Sequence, residues 1–471
     1  MNSYFTIENI KKILKPEEIL EGNFGLEKEG LRIKKKGELS LTPHPKSFGN
    51  KLTNPFITTD FSESQVEIVT PTFKSINDVY QCLSFLVDIV NTSIPDDEFI
   101  WNQSIPCILP EDDKIPLAYY EGKKGEKSRN YRIKLAKKYG TKKQMISGIH
   151  YNFSFNEENI EKLYNKLNPE LSYKNFKNEV YLKVVRNYLR YKWLIIYLTG
   201  CSVACHSSFT EECLQLMKLD DNNGGFYSNQ GPSFRNSRIG YKNLEALFPR
   251  YDSINNFVDD VNTYIKKGIL SEAKELYTQI RLKPTNPSEY LDSLKEDGIL
   301  YLEVRSVDIN PFDKCGISKE DMEFVHLFMI YLLLKNESEY DYWQQEGLLN
   351  EELVAESAFN QDTRLLKDGK KIQLSVWASE IIDEISDMNN HLNLGKSEII
   401  KNINDRISNP EKNYGKELIK IIENKGFIES NLSIAINNKE TSEKLIDLET
   451  IKNNKRLYYY YTNALPNNKI L

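Results

Sequence analysis

Glutamate, aspartate, histidine and arginine recur in this sequence on short segments that otherwise read as β-strands, each time on one face. In a strand, alternate side chains point to opposite sides. Within 24–29, Gly25, Glu27 and Glu29 share a face while Phe24 and Leu26 point the other way. Across 65–69, Glu67 lies opposite Val66 and Ile68, and Asp60 adds a carboxylate just upstream. Along 148–155, His150, Asn152 and Ser154 oppose Ile149, Tyr151, Phe153 and Phe155. In 299–307, Glu303 and Arg305 oppose Leu300, Leu302 and Val304.

An ordinary half-solvated sheet also alternates apolar and polar residues, but Lys or Thr would serve such a face as well as Glu or His. Carboxylates gathered on several strands repel one another unless cations lie between them. Hard oxygen donors with one imidazole suit Mg²⁺ or Mn²⁺ holding phosphates. The sequence contains no CxxC pair, no HExxH and no GxxxxGK[ST] loop, which excludes a zincin and a P-loop enzyme. Asn223-Gly224-Gly225 reads as a turn, not a phosphate cradle. His150 is one of five histidines, and its spacing alone is compatible with a ligand role and with a satisfied core position.

The chain as a whole sets the class of molecule. Acid outnumbers base by 68 to 62 over 471 residues, a net charge of -6. That balance argues against a general nucleic-acid partner and suits an enzyme of small molecules. Forty per cent of residues are apolar, enough for a large core. The six cysteines (Cys82, Cys107, Cys201, Cys205, Cys213, Cys315) lack metal-knuckle spacing and read as reduced, mostly buried thiols. The opening MNSYFTIENIKKILKPEEI is polar and lacks the apolar core of a signal peptide. The longest apolar runs, 193–198 and 324–334, fall short of the roughly 20 residues a membrane span needs. The expectation is a cytoplasmic protein with no membrane partner; its oligomeric state is open.

Periodicity predicts the elements that must position the polar strands. Helices are expected at 5–20, 76–94, 178–199 (ending at Gly200), 253–267 and 319–335, and a loop-rich stretch at 218–242. Beyond about residue 340, Asn, Lys, Glu and Ile dominate and amphipathic surface helices are predicted. The tyrosines at 458–461 read as a packed terminal segment. The expected division is a core over residues 1–340, with 341–471 a helical elaboration of the same domain.

The polar strands belong to longer blocks: 24–32 (FGLEKEGLR), His44-Pro45, 57–63 (ITTDFSE), 67–71 (EIVTP), 146–154 (ISGIHYNFS), 186–188 (RNY) and 301–312 (YLEVRSVDINPF). In order and spacing across 1–335, they resemble the bacterial glutamate–cysteine ligases (γ-glutamylcysteine synthetases), including the ligase portion of bifunctional glutathione-synthesising enzymes. The resemblance implies an α+β fold: a glutamine-synthetase-like curved, largely antiparallel sheet with helices outside and a helical C-terminal region. It also implies ATP-dependent joining of the glutamate γ-carboxylate to the amino group of cysteine through an acyl phosphate. The product would be γ-glutamylcysteine, the first step of glutathione biosynthesis, with ATP as co-substrate and Mg²⁺ or Mn²⁺ as the metal.

Carried over motif by motif, the implied metal ligands are Glu27, Glu29, Asp60, Glu67, His150 and Glu303. Glu303 and Arg305 are the implied catalytic pair, with Arg305 stabilising charge on the transferring phosphoryl group. Phe61, Tyr131, Leu135, Gln144, Tyr241 and Tyr277 match the family's cysteine side-chain pocket, and Arg235 its clamp on the acceptor carboxylate. Arg238 stands where the family carries an acid, and 281–284 (RLKP) departs from the family's proline placement. Both are expected near the substrate end of the site. The alternatives are a same-fold carboxylate–amine ligase with another amine acceptor, and a non-catalytic metal- or nucleotide-binding protein on the same scaffold. With the sequence stopping at residue 471, no second ligase module is expected, and glycine addition is left to another protein.

Overall fold

The alternation in 22–34 produces one long strand on which the main sheet is assembled. The structure, a computed structural model, describes residues 4–468. In chain order the strands are β1 (Gly22–Lys34), β2 (Ile57–Thr59), β3 (Gln65–Val69), β4 (Glu98–Trp101) and β5 (Ile149–Phe155). A separate small sheet follows, of β6 (Ala204–His206), β7 (Leu219–Asp220) and β8 (Gly225–Tyr227). Then β9 (Ile280–Lys283) and β10 (Tyr301–Val307) complete the main sheet. Its order is β2-β3-β1-β5-β10-β9, with β4 also paired to β1. Every ladder in it is antiparallel, and the fold is α+β.

One face of this sheet is apolar. Phe24, Leu26, Tyr151, Phe153, Leu302 and Val304 are buried in a core shared with the helices Ile76–Ser93, Tyr173–Tyr191, Trp193–Thr199 and Lys319–Leu334. Four helices start at serines, Ser75, Ser172, Ser253 and Ser318, whose side chains each accept the backbone N–H three residues on. The Lys319–Leu334 helix is buried over most of its surface because the helices Leu374–Leu392 and Ser397–Ser408 cover its outer side. Arg406 reaches back to Asp321 at 2.6 Å.

Several elements differ from the sequence pattern. The expected helix at 5–20 is broken into Ile7–Ile13 and Pro16–Ile19, because Pro16 has no N–H to donate and starts a new helix instead. The 178–199 helix begins earlier, at Tyr173, and is interrupted at Lys192. A further helix, Gly122–Tyr139, lies where lysines and arginines mask a sparse apolar stripe. After residue 340 the chain is not wholly helical: β11 (Arg364–Lys367) and β12 (Lys370–Gln373) form a hairpin. Asp368 and Gly369 turn it with φ of 52° and 75°, the Asp-Gly chemistry of a tight hairpin turn.

The C-terminal helices join the same core. Phe427 packs edge-on to Trp101 at 5.5 Å, and Lys439 donates to the carbonyls of Pro95 and Glu98. In the helix Lys455–Ala464 only part of the tyrosine tract packs inward. Tyr460 is buried against Phe56, while Tyr458 and Tyr459 are exposed, since consecutive helical residues cannot all face one side. The 222–225 stretch turns between β7 and β8, its backbone N–H groups at Asn223 and Gly225 donating to Asp221. All six cysteines are buried and unpaired. Among the described residues, no helix is long and apolar enough to cross a membrane.

Candidate active site

Strand register aligns the polar residues into rows across the second face of the main sheet. Glu29 on β1 pairs with Glu67 on β3. Glu27 on β1 pairs with His150 on β5. Glu303 on β10 stands between Asn152 on β5 and Arg281 on β9. The side chains close the rows. His150 Nδ1 lies 2.9 Å from Glu27 Oε2, and Asn152 donates to Glu27 Oε1 at 3.0 Å. The backbone N–H of Gly148 donates to Glu29 Oε2 at 2.8 Å. Ligand atoms of Glu27, His150 and Glu303 come within 4.8 Å of one another.

The electrostatics divide this cluster in two. Glu303 is buried, yet Lys283 (2.5 Å), Arg305 (2.6 Å) and Arg281 (3.5 Å) hold its carboxyl well below the usual range against the cost of burial. Arg235 and Arg305 act on Glu29, and Arg132 on Glu67, too weakly to offset burial and the neighbouring carboxylates. Burial and the Asp60 charge push Glu29 up to about 8, and burial with Asp60, Glu27 and Glu29 raises Glu67 well above its ordinary value. Burial, then Arg305, drives His150 down, which keeps the imidazole neutral. The Glu29–Glu67 row, whose carboxyls are both pushed up, can be jointly ionised only beside added positive charge; with Glu27 and Glu303, both held below their ordinary range, and a neutral imidazole beside it, the set fits a hard divalent cation. The donor set therefore suits Mg²⁺ or Mn²⁺.

These rows floor a cavity of about 250 Å³. All the residues assigned by resemblance line it: Glu27, Glu29, Asp60, Glu67, His150, Glu303 and Arg305 with Phe61, Tyr131, Leu135, Gln144, Arg235, Tyr241 and Tyr277. Phe61, Leu135 and Gln144 are buried in its wall. The rings of Tyr241 and Tyr277 pack at 4.6 Å, tilted by 38°, and the Lys274 ammonium sits 3.8 Å over the Tyr131 ring. Arg235 donates to the Val307 carbonyl at 3.3 Å. A Cβ at position 148 would come within 2.3 Å of the Arg235 guanidinium, so only glycine lets that arginine lie against β5.

The family model described as glutamate-cysteine ligase matches residues 7–268 and 248–353. The chain belongs to the glutamate–cysteine ligase family. A glutamate–cysteine ligase of Clostridium acetobutylicum is 36% identical over 401 residues, covering 78% of this chain and 83% of that protein. A bifunctional glutathione-biosynthesis protein of Clostridium perfringens is 39% identical over 449 residues, 93% of this chain and 57% of the relative. The chain thus spans little more than half the length of the bifunctional relatives it matches. Among solved structures, the Francisella tularensis glutamate–cysteine ligase in complex with AMP superposes with a TM-score of 0.83, at 26% identity over 96% of both chains.

The family motifs do not supply the whole cavity lining. Ser128, Arg132, Lys274, Arg281 and Lys283 also line it. Arg281 and Lys283 alternate with the buried Ile280 and Leu282 on β9, the same signal that marks Glu303. Arg132, on the Gly122–Tyr139 helix, donates through Nε to the Asp60 carbonyl at 2.7 Å. Arg238 does not belong to the site. Its side chain is 60% exposed, does not line the cavity, and pairs at 3.6 Å with Glu356 on the helix Trp343–Ser357.

Proposed function

We propose that this protein, in the cytoplasm, joins the γ-carboxylate of glutamate to the amino group of cysteine with hydrolysis of ATP to ADP and phosphate. The γ-phosphoryl group passes to a γ-carboxylate oxygen of glutamate. The cysteine nitrogen then attacks the activated carbonyl carbon, the C–O bond to phosphate breaks with its electron pair, and the amine loses a proton. One observation carries this reading: four strands bring Glu67, Glu29, Glu27, His150 and Glu303 together beside Arg305 in a single cavity. Family membership and the AMP complex of the Francisella relative support the nucleotide.

The chain's own residues divide the work as follows. Glu27, Glu29, Asp60, Glu67, His150 and Glu303 hold Mg²⁺ or Mn²⁺, which when bound neutralises phosphate charge. Arg305, anchored on Glu303, faces the transferring phosphoryl group and stabilises the charge that spreads over its oxygens. The Gly148 N–H fixes Glu29 in place. Arg235 takes the acceptor's carboxylate, and Phe61, Tyr131, Leu135, Gln144, Tyr241 and Tyr277 surround its side chain. Residues 1–340 form the catalytic core, and the helices from 341 onward elaborate the same domain. The same-fold alternative with another amine acceptor gains nothing from Arg238, since that residue lies outside the cavity.

The test is ADP release measured with glutamate and cysteine each omitted in turn. Release that needs both amino acids and a divalent cation is the expected result. Release that ignores cysteine, or no release at all, overturns the reading.

A further inference from the structure

A second cavity, of about 260 Å³, lies behind the acceptor end of the first and shares Tyr277 with it. Its floor is charged, but the charges satisfy one another. Lys192 pairs with Glu351, and Lys242 lies 3.0 Å from Glu351 and 3.1 Å from Glu352. Lys192 and Glu351 are almost wholly buried, at 6% and 1% exposure. A buried cluster paired internally fixes the elements that carry it and leaves no charge waiting for a ligand. The element it fixes is the start of β9.

The Gln279 side-chain amide donates to Glu351 Oε1 at 2.9 Å. The main-chain carbonyl of the same residue accepts the Arg305 N–H at 2.9 Å. The β9–β10 ladder runs from Lys283↔Tyr301 to Ile280↔Val304, so the Gln279–Arg305 bond is one further rung, beyond the end of β9. On its other edge β10 loses register with β5 between Val304 and Val307, where it carries one extra residue. At Arg305, then, β10 is held from the Gln279 side while its pairing on the β5 side is disrupted.

We propose that Gln279, anchored by Glu351, is a positioning residue for Arg305: it fixes the main chain from which the guanidinium reaches Glu303 and the cavity. Glu351 sits on the helix Trp343–Ser357, so a residue far along the chain from the metal-facing strands sets the geometry of the phosphoryl end. The kinetic consequence rests on the role proposed above for Arg305; the structural one does not.

Gln279→Leu removes the amide donor and leaves the Lys192–Glu351–Lys242 cluster whole, and Gln279→Met is a second variant of nearly the original length. Residue-resolved hydrogen exchange reads the Arg305 N–H directly. Its exchange should be at least about tenfold faster in either variant, with the β1 and β5 amides unchanged. In turnover, kcat should fall about tenfold while KM for glutamate, cysteine and ATP moves less than about threefold. In an Arg305→Lys background the Gln279 change should cost nothing further. Wild-type protection at the Arg305 amide in a folded variant, or full additivity with Arg305→Lys, overturns the proposal. A wild-type protein that shows no glutamate- and cysteine-dependent ADP release overturns the ligase reading instead, and the exchange data still decide the role of Gln279.

Discussion

Glu27 and His150 stand directly opposite each other on β1 and β5, joined through Oε2 and Nδ1 at 2.9 Å. That contact commits one ring nitrogen and leaves Nε2 pointing toward Glu29, 3.9 Å away. A buried imidazole oriented through one nitrogen by a carboxylate offers the other as a neutral ligand. The pair is set by register: a one-residue slip of β5 would turn His150 into the apolar core and bring Tyr151 out.

The carboxylate cluster makes a direct prediction for turnover. Glu67→Gln keeps the shape of the side chain and removes its charge. The fold, read by circular dichroism, should be retained, and kcat should fall by at least about 10²-fold, the scale of losing one charge-stabilising group. Near-normal turnover at saturating Mg²⁺ would remove Glu67 from the metal set.

Isotope transfer tests the order of bond making. With ¹⁸O in the γ-carboxylate of glutamate, an acyl phosphate must carry one labelled oxygen into inorganic phosphate. Mass spectrometry of the released phosphate should find that label in a ratio of one atom per turnover. Unlabelled phosphate would rule out the acyl phosphate.

Acid should destabilise the fold through two histidines outside the cavity. His326 lies edge-on to Phe24 at 4.9 Å, behind the site strands, and burial lowers its pKa to about 3. Burial, with Lys51 and Arg32 nearby, lowers His44 to about 3 as well. Each imidazole titrates near 6.5 in the unfolded chain, so the stability it contributes is full above that pH. As pH falls from 6.5 toward 3 the unfolded chain takes up the proton and the folded one does not. The loss is at most about 1.4 kcal/mol per histidine per pH unit. Denaturant midpoints at pH 7, 6 and 5 should therefore decline, and His326→Phe should make the decline shallower. Parallel slopes for wild type and variant would exclude His326 as the cause.

With the acceptor pocket assigned as proposed above, selectivity for the amine should follow from the cavity wall. Phe61 and Leu135 are buried, and the tilted ring pair of Tyr241 and Tyr277 closes one side. Such a lining rejects bulk by clash but barely separates a thiol from a methyl group, a difference of about 1–3 kcal/mol in an apolar pocket. The isostere 2-aminobutyrate should replace cysteine within about two orders of magnitude in kcat/KM. Serine should be poorer, because its hydroxyl gives up water there, and leucine and phenylalanine should fail on size. A preference for serine or for a large side chain would place the protein with the alternative ligases.

The polar face of the sheet was legible in the sequence because a period of two needs no knowledge of the partner strand. Glu27, Glu29, Glu67, His150 and Glu303 could each be assigned to a face before any pairing was known. Arg281 and Lys283 carry the same signal between Ile280 and Leu282. Tyr131, Leu135 and Tyr139 recur at every fourth residue and mark the inward side of the Gly122–Tyr139 helix, but the lysines and arginines around them mask it. What periodicity cannot contain is distance along the chain. Gln279 meets Glu351 across 72 residues, and Arg238 leaves the site for Glu356, 118 residues on. Neither fact follows from a local pattern.

The burial of every cysteine has a consequence for redox chemistry. Burial pushes the Cys82 thiol up to about 12 and holds Cys107, Cys201, Cys213 and Cys315 above their ordinary range. Disulfide exchange requires a thiolate that another sulfur can reach. A chain proposed above to take a free thiol as substrate thereby keeps its own sulfur out of the traffic. Cystine, or any oxidised thiol accumulating around it, finds no sulfur at the surface of this protein to trap as a mixed disulfide. Under the proposed reaction, oxidation of cysteine would withdraw the acceptor while the buried thiols stay reduced, and turnover should return when reduced cysteine is restored.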